Sequence, residues 1–404
     1  MNKDASDSGT PDLEFGIDGL AMLPDSMRYA GHVTPLPGNA ALAAGASTKE
    51  GKFIVTRLLD NGTIDTRFAA RGVIEGQVLP QQASMAVAAF GVDSNKTIVV
   101  VTTTTEGADS MPCVVRYTNE GSLDPAYGQG GVVQLPYPAM LGNEHPPRFV
   151  RATHLTSSTS VGSGQMPSGE IVVGWWYISE GKTLIYRLDD TGSLDTSFGK
   201  VGYVTYPEAL GHSSLSALSV LPSGKILVIG EHRSESGVFY PFLVRYTRTG
   251  ALDEAFGNDG SGVVQLQLQA YAGYVVNASL ETAEGGLIVF GRDAEGTAKL
   301  IGLANDGSID PTFRPDEVPQ VFQWLSATYD GKTLVAAGHT TDPRYIIIAR
   351  FNPDGSLDTA FGNNSGWVRV DHLSIPVGPT PYDVKSADGK IFIAGGDFVM
   401  RLRA

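Results

Sequence analysis

Only one cysteine, Cys113, occurs in the 404 residues. A lone thiol forms no intramolecular disulfide and builds no thiolate metal site, so crosslinks are excluded as the source of stability. Cys113 reads as a small buried apolar residue ahead of Val114, Val115 and Arg116. Long apolar runs are missing too: none approaches the ~18 residues that would suggest a membrane span. The polar, acidic stretch from Met1 to Ser8 has no apolar segment of a secretion signal. The expectation is a cytoplasmic monomer with no membrane insertion, export being open only by a route that needs no signal. Clustered positive charge is the third absence. With 43 acidic against 29 basic residues the formal charge is −14, and no Lys/Arg cluster can track a phosphate backbone, which argues against nucleic acid as a partner.

Catalytic signatures are also lacking. No Gly-x-Ser-x-Gly elbow and no Gly-x-x-x-x-Gly-Lys-Ser/Thr phosphate loop occurs, and the seven histidines show no metal-ligand spacing. The expectation is no catalytic residue, no metal and no cofactor.

What the chain has in quantity is turn residues, 49 glycines and 23 prolines, which favour many short strands over helices. They belong to a repeat. The pattern Arg-apolar-x-x-x-Gly-x-apolar-Asp-x-x-aromatic recurs as Arg57…Gly62…Ile64-Asp65…Phe68, Arg116…Gly121…Leu123-Asp124…Tyr127 and Arg187…Gly192…Leu194-Asp195…Phe198. It continues as Arg245…Gly250…Leu252-Asp253…Phe256 and Arg350…Gly355…Leu357-Asp358…Phe361, while a further copy, Gly302…Gly307…Ile309-Asp310…Phe313, lacks the arginine. The last copy is split between Arg401 and Asp12-Leu13-Glu14-Phe15.

Ahead of each motif a turn leads into a β-branched, apolar run such as Ser223-Gly224-Lys225-Ile226-Leu227-Val228, the mark of a buried strand. One unit then reads as four antiparallel strands, and seven units predict an all-β, closed seven-bladed β-propeller. The last blade would be shared between the N- and C-termini. Residues 1–404 form one propeller in this reading, with 1–10 as a flexible tail.

These motifs resemble the delta-60 repeat of bacterial proteins, whose pattern runs close to Arg-Tyr-Asn-x-Asp-Gly-Ser-Leu-Asp-x-x-Phe-Gly. The segment from Arg350 through Asp358 to Gly362 matches it almost throughout, whereas blade five departs at Gly302 and Arg314. The resemblance implies a propeller-like repeat fold and brings no catalytic residues with it.

The repeated aspartates, Asp12, Asp65, Asp124, Asp195, Asp253, Asp310 and Asp358, invite a calcium reading. However, a hard cation needs several oxygen ligands, and the turn residue before the repeated glycine varies from Asn61 to Glu120 to Thr191. The aspartates are expected to cap backbone amides, the arginines to pair with a carboxylate or carbonyls nearby, and the aromatics to wedge between blades.

In a propeller, ligands gather at the channel mouth from different blades. The first-strand windows 27–32, 83–88, 157–162, 212–217, 273–278, 319–324 and 377–382 contain no Asp or Glu, although Asp383 lies one position beyond. The windows end in His32, Ala88, Gly162, Ala217, Ala278, Trp324 and Tyr382. Bulk is thus one-sided, and Trp324, Tyr382 and His32, with Gln323 beside them, are expected either to bind a planar or apolar ligand or to plug the channel. Trp175, Trp176 and Tyr177 form a second aromatic group; alternation along a strand sends Trp175 and Trp176 to opposite faces, and an exposed one would suit a protein or glycan partner. The functional expectation is a non-enzymatic scaffold that binds a protein or ligand through its loops or channel mouth. A carbohydrate-binding protein and a channel-mouth lyase or hydrolase are the alternatives.

Overall fold

The structure, a computed structural model, describes residues 7–49, 51–78, 83–91, 96–105, 108–135, 161–177, 182–207, 213–233, 239–257, 259–266, 274–329, 332–342, 345–371 and 383–404. The protein is an all-β seven-bladed propeller. In chain order, β1 (Leu20–Met22) stands apart and is followed by blade one: β2 (Met27–Leu36), β3 (Ala40–Ser47), β4 (Phe53–Leu58) and β5 (Val73–Gly76). Blade two comprises β6 (Ala83–Gly91), β7 (Lys96–Thr105), β8 (Ala108–Thr118) and β9 (Val132–Gln134). Blade three comprises β10 (Val161–Gln165), β11 (Ile171–Tyr177), β12 (Lys182–Leu188) and β13 (Tyr203–Thr205). Blade four has β14 (Ser213–Val220), β15 (Ile226–Arg233), β16 (Phe239–Tyr246) and β17 (Val263–Gln265). Blade five has β18 (Val275–Glu281), β19 (Leu287–Arg292) and β20 (Ala298–Leu303), and blade six β21 (Val321–Tyr329), β22 (Leu334–Thr340), β23 (Tyr345–Phe351) and β24 (Trp367–Asp371).

Blade seven takes β25 (Asp383–Ala387), β26 (Lys390–Gly395) and β27 (Phe398–Arg403) from one end of the sequence and β1 from the other, with Leu20 opposite Met400 and Met22 opposite Phe398. The expected sharing of the last blade is therefore present as a sheet. Within the stretch 1–10 expected as a tail, Ser8 is buried and Gly9 N–H donates to the Arg403 carbonyl. Among the described residues blade five has three strands and not four. Pro315 and Pro319 follow Phe313, and proline cannot donate to a ladder; Arg314 and Asp316 amides donate instead to the Asp354 and Gly355 carbonyls of blade six.

The chain groups into two compact units, one of residues 1–48, 54–74 and 277–404, the other of 49–53 and 75–276. In each, the core lies between successive sheets. Second strands such as Ile226–Val228 and Ile391–Ala394 are apolar without alternation because both their faces are covered. The fourth strands are short and half-exposed, as in Val263–Gln265.

Candidate functional site

The repeated motif builds one clasp in every blade but blade five, which keeps the aspartate cap without the arginine. The aspartate accepts the backbone amide two residues on, from Arg67 (3.1 Å), Ala126 (3.0 Å), Ser197 (2.9 Å), Thr312 (2.8 Å) and Ala360 (3.0 Å), as a cap does. Its other oxygen takes the Nε–H of the arginine eight residues earlier: Arg57 to Asp65 at 3.0 Å, Arg116 to Asp124 at 2.8 Å, Arg187 to Asp195 at 2.9 Å, Arg245 to Asp253 at 2.6 Å and Arg350 to Asp358 at 2.8 Å. Arg401 does the same with Asp12 across the shared blade at 2.7 Å. The guanidinium also lies over the motif aromatic, 4.4 Å from the Tyr127 and Phe256 centroids and 4.5 Å from that of Phe15, adding cation–π attraction in a desolvated place.

In blades two, three and seven a further contact couples the clasp to the next blade. Arg116 and Arg187 donate to the Asp190 and Arg248 carbonyls, and Gly16, Gly128 and Gly199 amides donate to the turn carbonyls of Asn61, Thr191 and Thr249. The repeated glycine is needed there. Gly62 has φ +77° and a Cβ would stand 2.6 Å from Gly16 N; at Gly355 φ is +91° and a Cβ would stand 2.7 Å from Pro315 N. The reading above missed one partner, the lysine after the second-strand turn: Lys96, Lys225 and Lys390 reach Asp124, Asp253 and Asp12 at 3.3, 2.9 and 2.7 Å. Its signal was a lysine after the turn residue and before the apolar run, as Gly224-Lys225, Gly389-Lys390 and Asn95-Lys96. Burial pushes the Asp253 carboxyl up, but Lys225 and Arg245 outweigh it and hold the group below the usual carboxylate range. Asp12 follows the same logic, with Lys390 and Arg401. All these carboxylates are engaged in structure, and among the described residues no group of three or more His, Cys, Asp or Glu is placed to hold a metal ion.

A second polar cluster joins the first strands of three consecutive blades, the strands that line the channel of a propeller. At its centre is Asp383 at the start of β25, one residue past the sequence windows and buried. Four donors surround its carboxylate: Lys385 Nζ at 2.7 Å and Ser326 Oγ at 3.0 Å on Oδ1, His32 Nδ1 at 2.9 Å and Val33 N at 3.2 Å on Oδ2. Burial acts to raise this carboxyl, yet the charges of Lys385 and His32 and their hydrogen bonds prevail, holding it far below the usual range. Because Asp383 accepts from Nδ1, a neutral His32 presents Nε2 as an acceptor, 3.0 Å from Thr34 Oγ1. On the blade five side, Asn277 donates to the Trp324 carbonyl and accepts from Gln323 Nε2 at 3.1 Å.

The sequence-derived mouth residues are separated by this arrangement. His32 and Gln323 stand among the polar groups just described, and Tyr382 lies outside the described residues. Trp324 is 3 % exposed and packs edge to face on Phe351, with ring centroids 6.0 Å apart, inside the apolar core between blades five and six. It has no ring face to offer a ligand. The cause is a β-bulge: β21 shifts register between Trp324 and Ser326, as β2 does between Ala30 and His32, and bulges re-aim side chains. Ser326, opposite Ala337, is thus the counterpart of His32, opposite Ala44, while Trp324 corresponds to Ala30.

The second aromatic group is packed on both sides. Trp175 and Tyr177 are buried in the core of blades two and three, where Tyr177 donates to the Leu135 carbonyl at 2.6 Å, and Trp176 turns to the opposite core against blade four. Alternation acts as expected, but neither tryptophan stands free at the rim.

Two segments of the chain, residues 221–256 and 330–361, match the family described as a domain of unknown function (DUF5122) β-propeller. They contain the motif copies of blades four and six. No curated protein matches the sequence. Similar solved structures include a glucose dehydrogenase (12% identity, TM-score 0.42, covering 95% of this chain and 99% of that one). A Hadza microbial sialidase is 10% identical with TM-score 0.46, covering 90% of this chain and 73% of that one. A sialidase of Trypanosoma rangeli in complex with sialic acid is 10% identical with TM-score 0.41, covering 100% of this chain and 57% of that one. Likeness this distant concerns the fold and says nothing about chemistry. The class is that of a repeat-built β-propeller, and among the described residues no helix is long and apolar enough to cross a membrane.

Proposed function

We propose that the protein is a non-enzymatic binding propeller whose ligand surface includes the first-strand cluster around Asp383. One observation carries this: a buried carboxylate holds side chains from three blades with four donors, which leaves it no free position for a metal or for proton transfer. Apolar residues of similar volume would stabilise these strands as well as a buried ion pair does, so the cluster is better explained by what it positions. Lys385, with a side chain 38% exposed, and His32 are held outward of Asp383, with the Gln323–Asn277 amide pair on the blade five side. Such donors suit a hydroxyl-rich or anionic ligand, and the carbohydrate-binding alternative falls under the same reading.

An array of neutral and acidic glycans, probed with the wild type and with Lys385→Met and His32→Gln, tests it. Signals that fall in the variants while melting is unchanged support the site. Signals that do not respond to either change, or no binding to any glycan, remove it.

A second reading, a hydrolase, has one observation in its favour. Asp383, His32 and Thr34 form a carboxylate–imidazole–hydroxyl relay with 2.9 and 3.0 Å links, the pattern by which a base activates a nucleophile. Release of nitrophenol from activated esters that disappears in Thr34→Val would favour it over pure binding.

A further inference from the structure

Blade five departs from its sisters at two positions that serve one purpose elsewhere. In blade four, Arg245 pairs in register with Leu227, two residues after Lys225, and both cations reach Asp253. The equivalent pair in blade five is Gly302 opposite Ile288, and two residues before Ile288 stands Gly286. Both cations are therefore replaced by glycine, while the aspartate they would meet, Asp310, is kept. It accepts the Thr312 amide at 2.8 Å and the Thr312 hydroxyl at 2.6 Å, and among the described residues no Lys, Arg or His pairs with it.

The missing side chains leave space. A groove of about 450 Å³ is lined by Gly286, Gly302, Asp310 and Phe313, with Glu284 and Asp354 also on its wall and no basic residue. Phe313 has moved onto Gly302, where a Cβ would lie 2.5 Å from its own Cβ, so the aromatic of the motif still borders the site. The independent indication of a ligand is the internal comparison. In six other blades the same aspartate binds a guanidinium, through Nε or a terminal nitrogen, at 2.6–2.8 Å, and in three it binds an ammonium as well.

We infer that the blade five groove is a binding site for an alkylguanidinium group supplied from outside the chain, with Asp310 as its carboxylate and Phe313 as its aromatic wall. Charge-assisted pairing and cation–π contact are the forces that the chain already uses six times for an internal arginine. The guanidinium belongs either to an exposed arginine of a partner protein or to a free arginine-like molecule. This site is separate from the Asp383 cluster and does not depend on the function proposed for it.

Isothermal titration of the full chain at 0.15 M salt with arginine amide, its neutral isostere citrulline amide, and a short acetylated peptide with one central arginine tests the inference. Arginine amide is expected to bind saturably and citrulline amide not. Asp310→Asn should weaken arginine amide by about tenfold or more, the worth of one hydrogen bond to a charged group. Gly302→Arg supplies the cation from within and should abolish binding. Should that variant not fold, Glu284→Gln, on the exposed wall, gives a second reading as a smaller, salt-sensitive loss. A peptide at least tenfold tighter than arginine amide identifies a protein partner, whereas equal affinities identify a free ligand. Equal heats from citrulline amide, no saturable binding, or an Asp310→Asn variant that binds like the wild type would overturn the inference.

Discussion

Arg401 donates its Nε–H to Asp12 Oδ2 at 2.7 Å although the two residues are 389 positions apart, and each side chain is only 1% exposed. Arg401 also reaches the Asn39 carbonyl and Asp60 of blade one. The pair ties the N-terminal motif to the C-terminal strands and both to the following blade. Deleting residues 1–23 removes Asp12 and β1 together and exposes the edge of β27. A sharp fall in melting temperature is expected, and Asp12→Ala alone should cost about 3–5 kcal/mol, because it leaves a buried guanidinium without its main partner. Urea unfolding measures both, and an unchanged curve for the truncated chain would contradict the role of the shared blade.

The loss of the arginine in blade five provides an internal control for the clasp. Asp195→Ala should cost about 3–5 kcal/mol, more than a cap, since the buried Arg187 loses its carboxylate and keeps only neutral acceptors. Asp310→Ala should cost only about 0.5–2 kcal/mol, the value of the cap it retains. Equal losses in chemical denaturation would mean that the arginine adds nothing. A chelator should leave melting unaltered in both, because these carboxylates are occupied by protein donors.

Acid should unfold the protein through the same groups. The Asp12, Asp65, Asp124, Asp195 and Asp253 carboxyls lie below their usual value in the folded chain, so the unfolded chain takes up protons first as pH falls. Their contribution is complete above about pH 4, the ordinary aspartate range, and is lost as pH drops through the lower folded values. The urea midpoint should be flat from pH 7 to 5 and fall steeply below pH 4. A midpoint that holds at pH 3 would argue that the ion pairs do not stabilise the fold.

Trp324 makes a direct test of the register of β21. Truncation to alanine empties a buried aromatic site, with an expected cost of about 3–5 kcal/mol. A variant that loses less than about 1 kcal/mol would place the indole at an open surface, far below the range for a core aromatic.

The repeat was legible in the amino-acid order because each copy carries its own local chemistry: a glycine for a positive-φ turn, an aspartate for a cap, an apolar run for a strand covered on both faces. Seven copies at near-constant spacing, with the last divided between Arg401 and Asp12, determined the blade count and the shared blade without reference to contacts. The same spacing set an arginine eight residues before the aspartate and pointed to a carboxylate or carbonyl partner, but that the partner is this aspartate was decided by the fold. The candidate site was not legible in this way. Counting back from the turn, Trp324 falls beside His32, and only the pairing of β21 with β22 reveals the bulge that moves it into the core and brings Ser326 into line. Asp383 was visible one residue beyond the windows, but three of its four donors come from other strands, 57 residues away for Ser326 and 350 for Val33, and nothing local in those strands specifies them. The empty place in blade five likewise needed the sheet register, which sets Gly302 and Gly286 around one aspartate. Local order specifies turns, caps and strand faces because these depend on neighbours a few residues apart; which side chains meet between blades depends on register, and register is decided only when the sheets pack.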